Sequence, residues 1–146
     1  MELGLFVEPQ VGGTYQRLLE LARWAEGQGL DAFARSDHYL NMEDSAHTTD
    51  ALVSFGGLAV ETSSVELVTL VSPLTFRHPA VMVKSATTLD EMSGGRFALG
   101  VGTGWMEPEH ARFGLELPSV SERFERLAEA LEYITTACSG GGTTSG

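Results

Sequence analysis

The chain has 146 residues, 42% of them hydrophobic, so it is of single-domain size and long enough to bury a core. Its formal charge of -11 rests on only nine basic residues, which excludes nucleic acid as a partner, since phosphate-backbone binding runs on clustered lysine and arginine. No apolar run approaches the roughly 20 residues that span a bilayer, no leader-like segment follows Met1, and the lone Cys138 has neither a disulfide partner nor a zinc-type cluster, so a cytoplasmic, metal-free protein away from membranes is expected.

In chain order, short apolar runs alternate with longer amphipathic ones. "LGLFVEP" reads as a first strand, and "TYQRLLELARWAEGQGL" as a helix with Thr14 as N-cap, Gly27 or Gly29 as stop, and Leu18, Leu21, Ala22, Trp24 and Ala25 on its apolar stripe. "DAFARSDHY" is a second strand leading into a polar loop. "TDALVSFGGLAVETS" follows as a helix weakened by Gly56 and Gly57, and the β-branched "VELVTLVSPLT" is the third strand. "HPAVMVKSATTLDEMSGG" is a helix opened by Pro79 and closed at Gly94 and Gly95. "RFALGVGTG" gives the fourth strand, and "SERFERLAEALEYITTA" the fourth helix, with Ser121 as its cap and Phe124, Leu127, Ala128, Leu131 and Ile134 on one face. Residues 1–138 thus form four βα units, and 139–146 read as a flexible Gly/Ser/Thr tail.

Alternating units of this kind predict an α/β fold with a parallel sheet. A closed (β/α)₈ barrel takes about 250 residues, so the pattern fits the amino-terminal half of one, although an open doubly wound sheet would be complete with the same strands. Either way a ligand lies at the carboxyl ends of the strands. Those ends carry Glu8 and Pro9, then Ser36, Asp37 and His38, then Val71 to Pro73, then Gly102, Thr103, Gly104 and Trp105. His38 beside Asp37 suits proton transfer, because histidine titrates near neutrality and a neighbouring carboxylate can hold it; a solvated loop histidine is the plain alternative. The turn "LGVGTG" departs from a dinucleotide fingerprint, which needs G-x-G-x-x-G opening a helix directly, and from a methyltransferase turn, which carries an acidic residue at the strand end. A tight connection without ligand stays open beside these.

"SDHY", "LVTLVSPLTFRHPAV", "TTLDEMSGGRFALGVGTGWMEPEHARFG" and "SERFERLAEALEYI" together resemble the luciferase-like monooxygenase superfamily, in particular its coenzyme F420 (deazaflavin)-dependent oxidoreductase branch, from about Leu3 to Cys138. The resemblance implies a TIM barrel that holds F420, or alternatively FMN, in its mouth and moves a hydride or activates oxygen at the ring, acting on a small-molecule substrate. It implies further that His38, with Asp37 beside it, exchanges protons near the ring. Leu70 and Val71 would form a non-proline cis peptide facing the ring, and Gly102, Thr103 and Gly104 would bring backbone to its pyrimidine edge. Trp105 stands where sugar-phosphate dehydrogenases of the family carry an acidic residue. The family's phosphate-binding residues lie in the second half of the barrel, and Arg77 and His78 are read as structural rather than as substitutes for them.

Half a barrel leaves inward-facing residues such as Phe6, Leu70 and Leu99 uncovered, so a homodimer or larger homo-oligomer is expected. The alternative to an enzyme is a catalytically silent, self-associating half-barrel without cofactor.

Overall fold

The computed structural model describes residues 1–41 and 48–139. Part of the expected polar loop, and the expected tail from residue 140 onward, fall outside them; Ser139 closes the last helix. Four parallel strands, β1 (Gly4–Val7), β2 (Ala32–Arg35), β3 (Glu66–Pro73) and β4 (Phe97–Gly102), lie side by side in chain order. Helices α1 (Tyr15–Gly27), α2 (Ala51–Glu61) and α3 (Pro79–Ser93) return the chain between them, and α4 (Glu107–Phe113) and α5 (Val120–Ser139) follow β4. The result is four βα units of a barrel with parallel pairing throughout.

The helix ends follow local chemistry. Thr14 caps α1 by accepting the Arg17 amide at 3.2 Å, Asp50 caps α2 by accepting the Val53 amide at 2.9 Å, and His78 caps α3 through Nδ1 and the Ala80 amide at 3.2 Å, with Pro79 as first helical residue. The cap of α5 is Ser119, whose Oγ accepts the Glu122 amide at 3.3 Å, rather than Ser121. Among the described residues a hydrophobic core forms on the helix side of the sheet. Leu18, Ala22, Phe33, Phe55, Leu58 and Leu67 are buried at its centre, and an edge-to-face contact between Phe55 and Phe97 at 5.5 Å joins α2 to β4.

Three expectations are corrected here. Trp24 is 54% exposed, because it sits on the flank of the α1 stripe and the core is already filled by Leu18, Leu19, Ala22 and Ala25. Leu99 packs against the helix-side core, since strand alternation sends it the same way as Phe97. On α5 only Ala130 and Ile134 are buried, while Phe124, Ala128 and Leu131 are exposed. The opposite face of the sheet is open, with Phe6, Leu70 and Val71 exposed on it.

The strand ends are tied sideways by polar side chains. Ser36 donates to Gln10 Oε1 at 2.7 Å, linking the segments after β1 and β2, and Ser72 donates to Asp37 at 2.8 Å, linking β2 to β3. Between β3 and β4 the register shifts after Thr69, and the Thr69 hydroxyl fills in by bonding both the amide and the carbonyl of Gly100, at 2.9 and 3.0 Å. The Leu70–Val71 peptide at this irregularity is cis.

Candidate functional site

At the carboxyl end of β2 the chain runs Arg35, Ser36, Asp37, His38. Arg35 is fully buried and satisfies its guanidinium without a direct carboxylate: Nε donates to Ser36 O at 2.9 Å, Nη1 to Ser54 Oγ at 2.6 Å and Nη2 to Thr49 O at 2.7 Å. Burial pushes its pKa down to about 10, opposed by the fields of Asp37 and Asp50, so it stays charged at neutral pH.

Asp37 does not face His38. Its carboxylate points into the protein, where Arg77 Nη1 meets it at 2.6 Å, and Arg77 reaches on to Asp50 with Nη2. Asp50 in turn accepts the Tyr39 hydroxyl at 3.0 Å, and the Tyr39 ring stacks on Phe76 at 4.4 Å. Burial works to raise the Asp50 pKa, but the Val53 amide and Arg77 outweigh it, and the net shift is downward. Burial likewise lowers the Arg77 value, yet the two carboxylates more than reverse this and hold it above the ordinary range. Burial drives the Tyr39 phenol well above its usual value, so it stays a neutral donor. Arg77 is thus consumed by the scaffold.

The carboxylate that meets His38 is Glu109, on α4. Glu109 is 1% exposed; its Oε2 lies 3.1 Å from His38 Nδ1, and its Oε1 accepts the Leu40 amide at 2.9 Å and the Tyr39 amide. A residue 71 positions away therefore does what the adjacent Asp37 was expected to do. Both residues lie beyond the end of β2, where Asp37 turns toward Arg77 and Ser72 and His38 toward α4, so neighbours in sequence meet different partners. The only sequence signal for Glu109 is an acidic residue in the first turns after the glycine-rich connection.

Trp105, 62% exposed, makes a near-perpendicular edge-to-face pair with the His38 ring, centroids 5.8 Å apart. At the same end of the sheet, level with the residues that follow β2, lie Leu70 and Val71, 50% and 40% exposed, with Gly102 against the Val71 side chain. The structure thus brings His38, Trp105 and the Leu70–Gly102 shelf to one end of the sheet. It sets Asp37 behind them. Thr103 instead lines a cavity of about 570 Å³ between the β3–α3 connection and α5, together with Phe76, Pro79, Ala130 and Tyr133.

The glycines have reasons internal to the fold. A Cβ on Gly102 would stand 2.6 Å from Val71 Cγ2. Gly104 has φ +75°, and a Cβ there would meet Thr75 Oγ1 at 2.6 Å. That hydroxyl is held by buried His110: Nδ1 lies 2.8 Å from Met106 O and so carries the proton, leaving Nε2 to accept from Thr75 at 2.7 Å. Among the described residues no group of metal-ligating side chains assembles, and no helix is long and apolar enough to cross a membrane.

The exposed shelf tests a flat ring cofactor. An apolar floor beside a histidine and an aromatic edge fits such a ring, whereas Arg35 and Arg77 are already engaged internally and offer nothing to a phosphate tail.

The profile of luciferase-like monooxygenases matches residues 1–145. The F420-dependent glucose-6-phosphate dehydrogenase of Microbacterium testaceum (strain StLB037) is 41% identical over 125 residues, 84% of this chain and 37% of that protein. Pyrimidine monooxygenase RutA of Pseudomonas savastanoi pv. phaseolicola is 31% identical over 153 residues, 92% of this chain and 42% of that one. Among solved structures, an F420-dependent secondary alcohol dehydrogenase in complex with an F420-acetone adduct superposes with a TM-score of 0.77 at 26% identity, over 92% of this chain and 41% of that chain. The chain spans about two fifths of the length of the relatives it matches.

Proposed function

The chain belongs to the luciferase-like monooxygenase family, and from that membership we infer that its four βα units serve an oxidoreductase that binds coenzyme F420, with FMN as the second candidate, at the carboxyl ends of its strands. The observation that carries the reading is the apolar shelf of Leu70, Val71 and Gly102 beside a histidine held by a buried carboxylate. F420 is preferred because a relative with 41% identity is named for dependence on it. Nothing in the comparisons favours a cofactor-free, silent half-barrel.

In this reading Leu70, Val71 and Gly102 would lie against the ring, and His38 would give or take the proton that accompanies reaction of a small organic substrate. The bound ring supplies the site that accepts or donates hydride. Trp105 walls the mouth with an apolar edge, which suits a neutral substrate better than a phosphorylated sugar. The exposed face of Phe6, Leu70 and Val71 and the free edges of β1 and β4 call for further strands, and a second copy of the chain in a homodimer or larger oligomer is the partner we propose for them.

Fluorescence titration of the purified chain with F420 and with FMN tests the cofactor assignment, and sedimentation of the same sample tests the assembly. Saturable binding with F420 tighter than FMN is expected, on a species of at least two chains. No binding of either at high micromolar concentration overturns the function, and a cooperatively melting monomer overturns the assembly.

A further inference from the structure

The buried carboxylate of Glu109 is unusual in what it holds. Three donors converge on two oxygens: the amides of Tyr39 and Leu40 on Oε1, and His38 Nδ1 on Oε2 at 3.1 Å. The side chain is closed off from water, and α4, which carries it, starts five residues beyond Gly102, the last residue of β4. One residue thus fixes both the backbone that follows β2 and the imidazole that emerges from it. A carboxylate only accepts hydrogen bonds, so the neutral His38 ring carries its proton on Nδ1. Its other nitrogen makes no hydrogen bond among the described residues, and the ring is partly exposed.

We propose that Glu109 is a positioning residue for His38, holding the imidazole through Nδ1 in a single tautomer so that Nε2 is the atom that exchanges a proton at the reacting centre. The catalytic part of this statement rests on the function proposed above; the tautomer does not. Asp37 cannot take the role, because its carboxylate is engaged by Arg77 and Ser72. The arrangement follows a general rule: the partner of one ring nitrogen decides the chemistry available at the other. It also predicts what a near-isosteric change does. In Glu109→Gln the amide oxygen can keep both backbone donors, but the NH₂ group then faces Nδ1 and donates to it, which moves the ring proton to Nε2 and leaves the wrong atom basic.

Long-range ¹H–¹⁵N correlation spectra of the whole chain, taken without cofactor at about pH 8, where imidazoles are neutral, read the tautomer directly. The His38 signals are identified by their loss in His38→Asn. The wild type is expected to show the Nδ1–H form at His38, and Glu109→Gln the Nε2–H form; an Nε2–H wild type, or the same tautomer in both proteins, overturns the proposal. Should Glu109→Gln fail to fold, the wild-type spectrum still decides. In the cofactor-loaded enzyme Glu109→Gln should lower kcat by about 10²-fold, the scale of a lost general acid or base, with cofactor affinity nearly unchanged. A loss carried entirely by cofactor affinity would overturn it. Absence of cofactor binding in the wild type would instead remove the proposed function and leave the tautomer result standing.

Discussion

Replacing Arg77 by methionine should be among the most damaging single changes to the scaffold. Arg77 bridges two carboxylates of different exposure. The Asp37 side chain is fully buried, and without Arg77 it keeps, among the described residues, the Ser72 hydroxyl at 2.8 Å as hydrogen-bond partner and only the more distant field of Arg35 against its charge. Asp50 is 30% exposed and keeps the Val53 amide and the Tyr39 hydroxyl, so its lost ion pair is worth at most about 1 kcal/mol. The dominant effect is the stranded charge at Asp37, which costs about 3–5 kcal/mol when one partner of a buried pair is removed. With a urea dependence of about 2 kcal/mol per molar for a chain of this size, the unfolding midpoint should fall by about 1.5–2.5 M. Urea denaturation followed by far-ultraviolet circular dichroism measures it. Asp37→Asn removes the charge that Arg77 neutralises, so Arg77→Met should cost markedly less in the Asp37→Asn background than alone. A midpoint within about 0.5 M of wild type, or strictly additive single and double substitutions, would refute the argument that a buried charge pair joins β2 to the β3–α3 connection.

Other consequences follow from the same geometry. On the proposed function, His38→Ala should cut turnover in the presence of cofactor by about 10²-fold or more while changing cofactor affinity little, read by steady-state kinetics beside equilibrium titration. Gly104→Val forces a β-branched residue to φ +75° and against Thr75, so it should destabilise the fold by about 1–3 kcal/mol even without cofactor, measured as a lower urea midpoint. The Asp50 pKa is lowered in the folded state, so the unfolded chain takes up a proton first as pH falls, and the stability Asp50 contributes is full at neutral pH and lost from about pH 5 downward. Asp50→Asn should therefore be less stable at pH 7, with a flatter loss of urea midpoint between about pH 5 and pH 3.

The succession of four strands and the helices between them was legible because each strand is a short apolar run and because α1 and α3 carry their start and stop signals in sequence, as Thr14, Pro79 and Gly94 show. What escaped was what depends on sequence-distant neighbours. Trp24 shares the helical period of the core residues yet lies at the edge of the stripe, and periodicity does not say how wide the covered face is. Leu99 was assigned to the open face, but β4 takes its parity from Phe97 in the core. At the site the spacing brought out His38 and the glycine turn, whereas the partner of His38 comes from α4. A short helix of mixed polarity beginning at Glu107 leaves a weak pattern, and nothing local distinguishes the buried Glu109 from the neighbouring Glu107. The glycines likewise gave no hint that Val71 and Thr75 already occupy the space beside them.

On the proposed function a flavin-type ring would lie on the shelf of Leu70 and Val71, at the end of the sheet that carries His38. Isotope-filtered nuclear Overhauser spectra of methyl-labelled protein saturated with unlabelled F420 test it most directly. Contacts from the ring protons to the Leu70 and Val71 methyls are expected, lost or redistributed in Val71→Asp. Contacts confined to Ala80 and Ala130, which line the cavity against α5, or no contacts at saturating F420 and FMN, would contradict it.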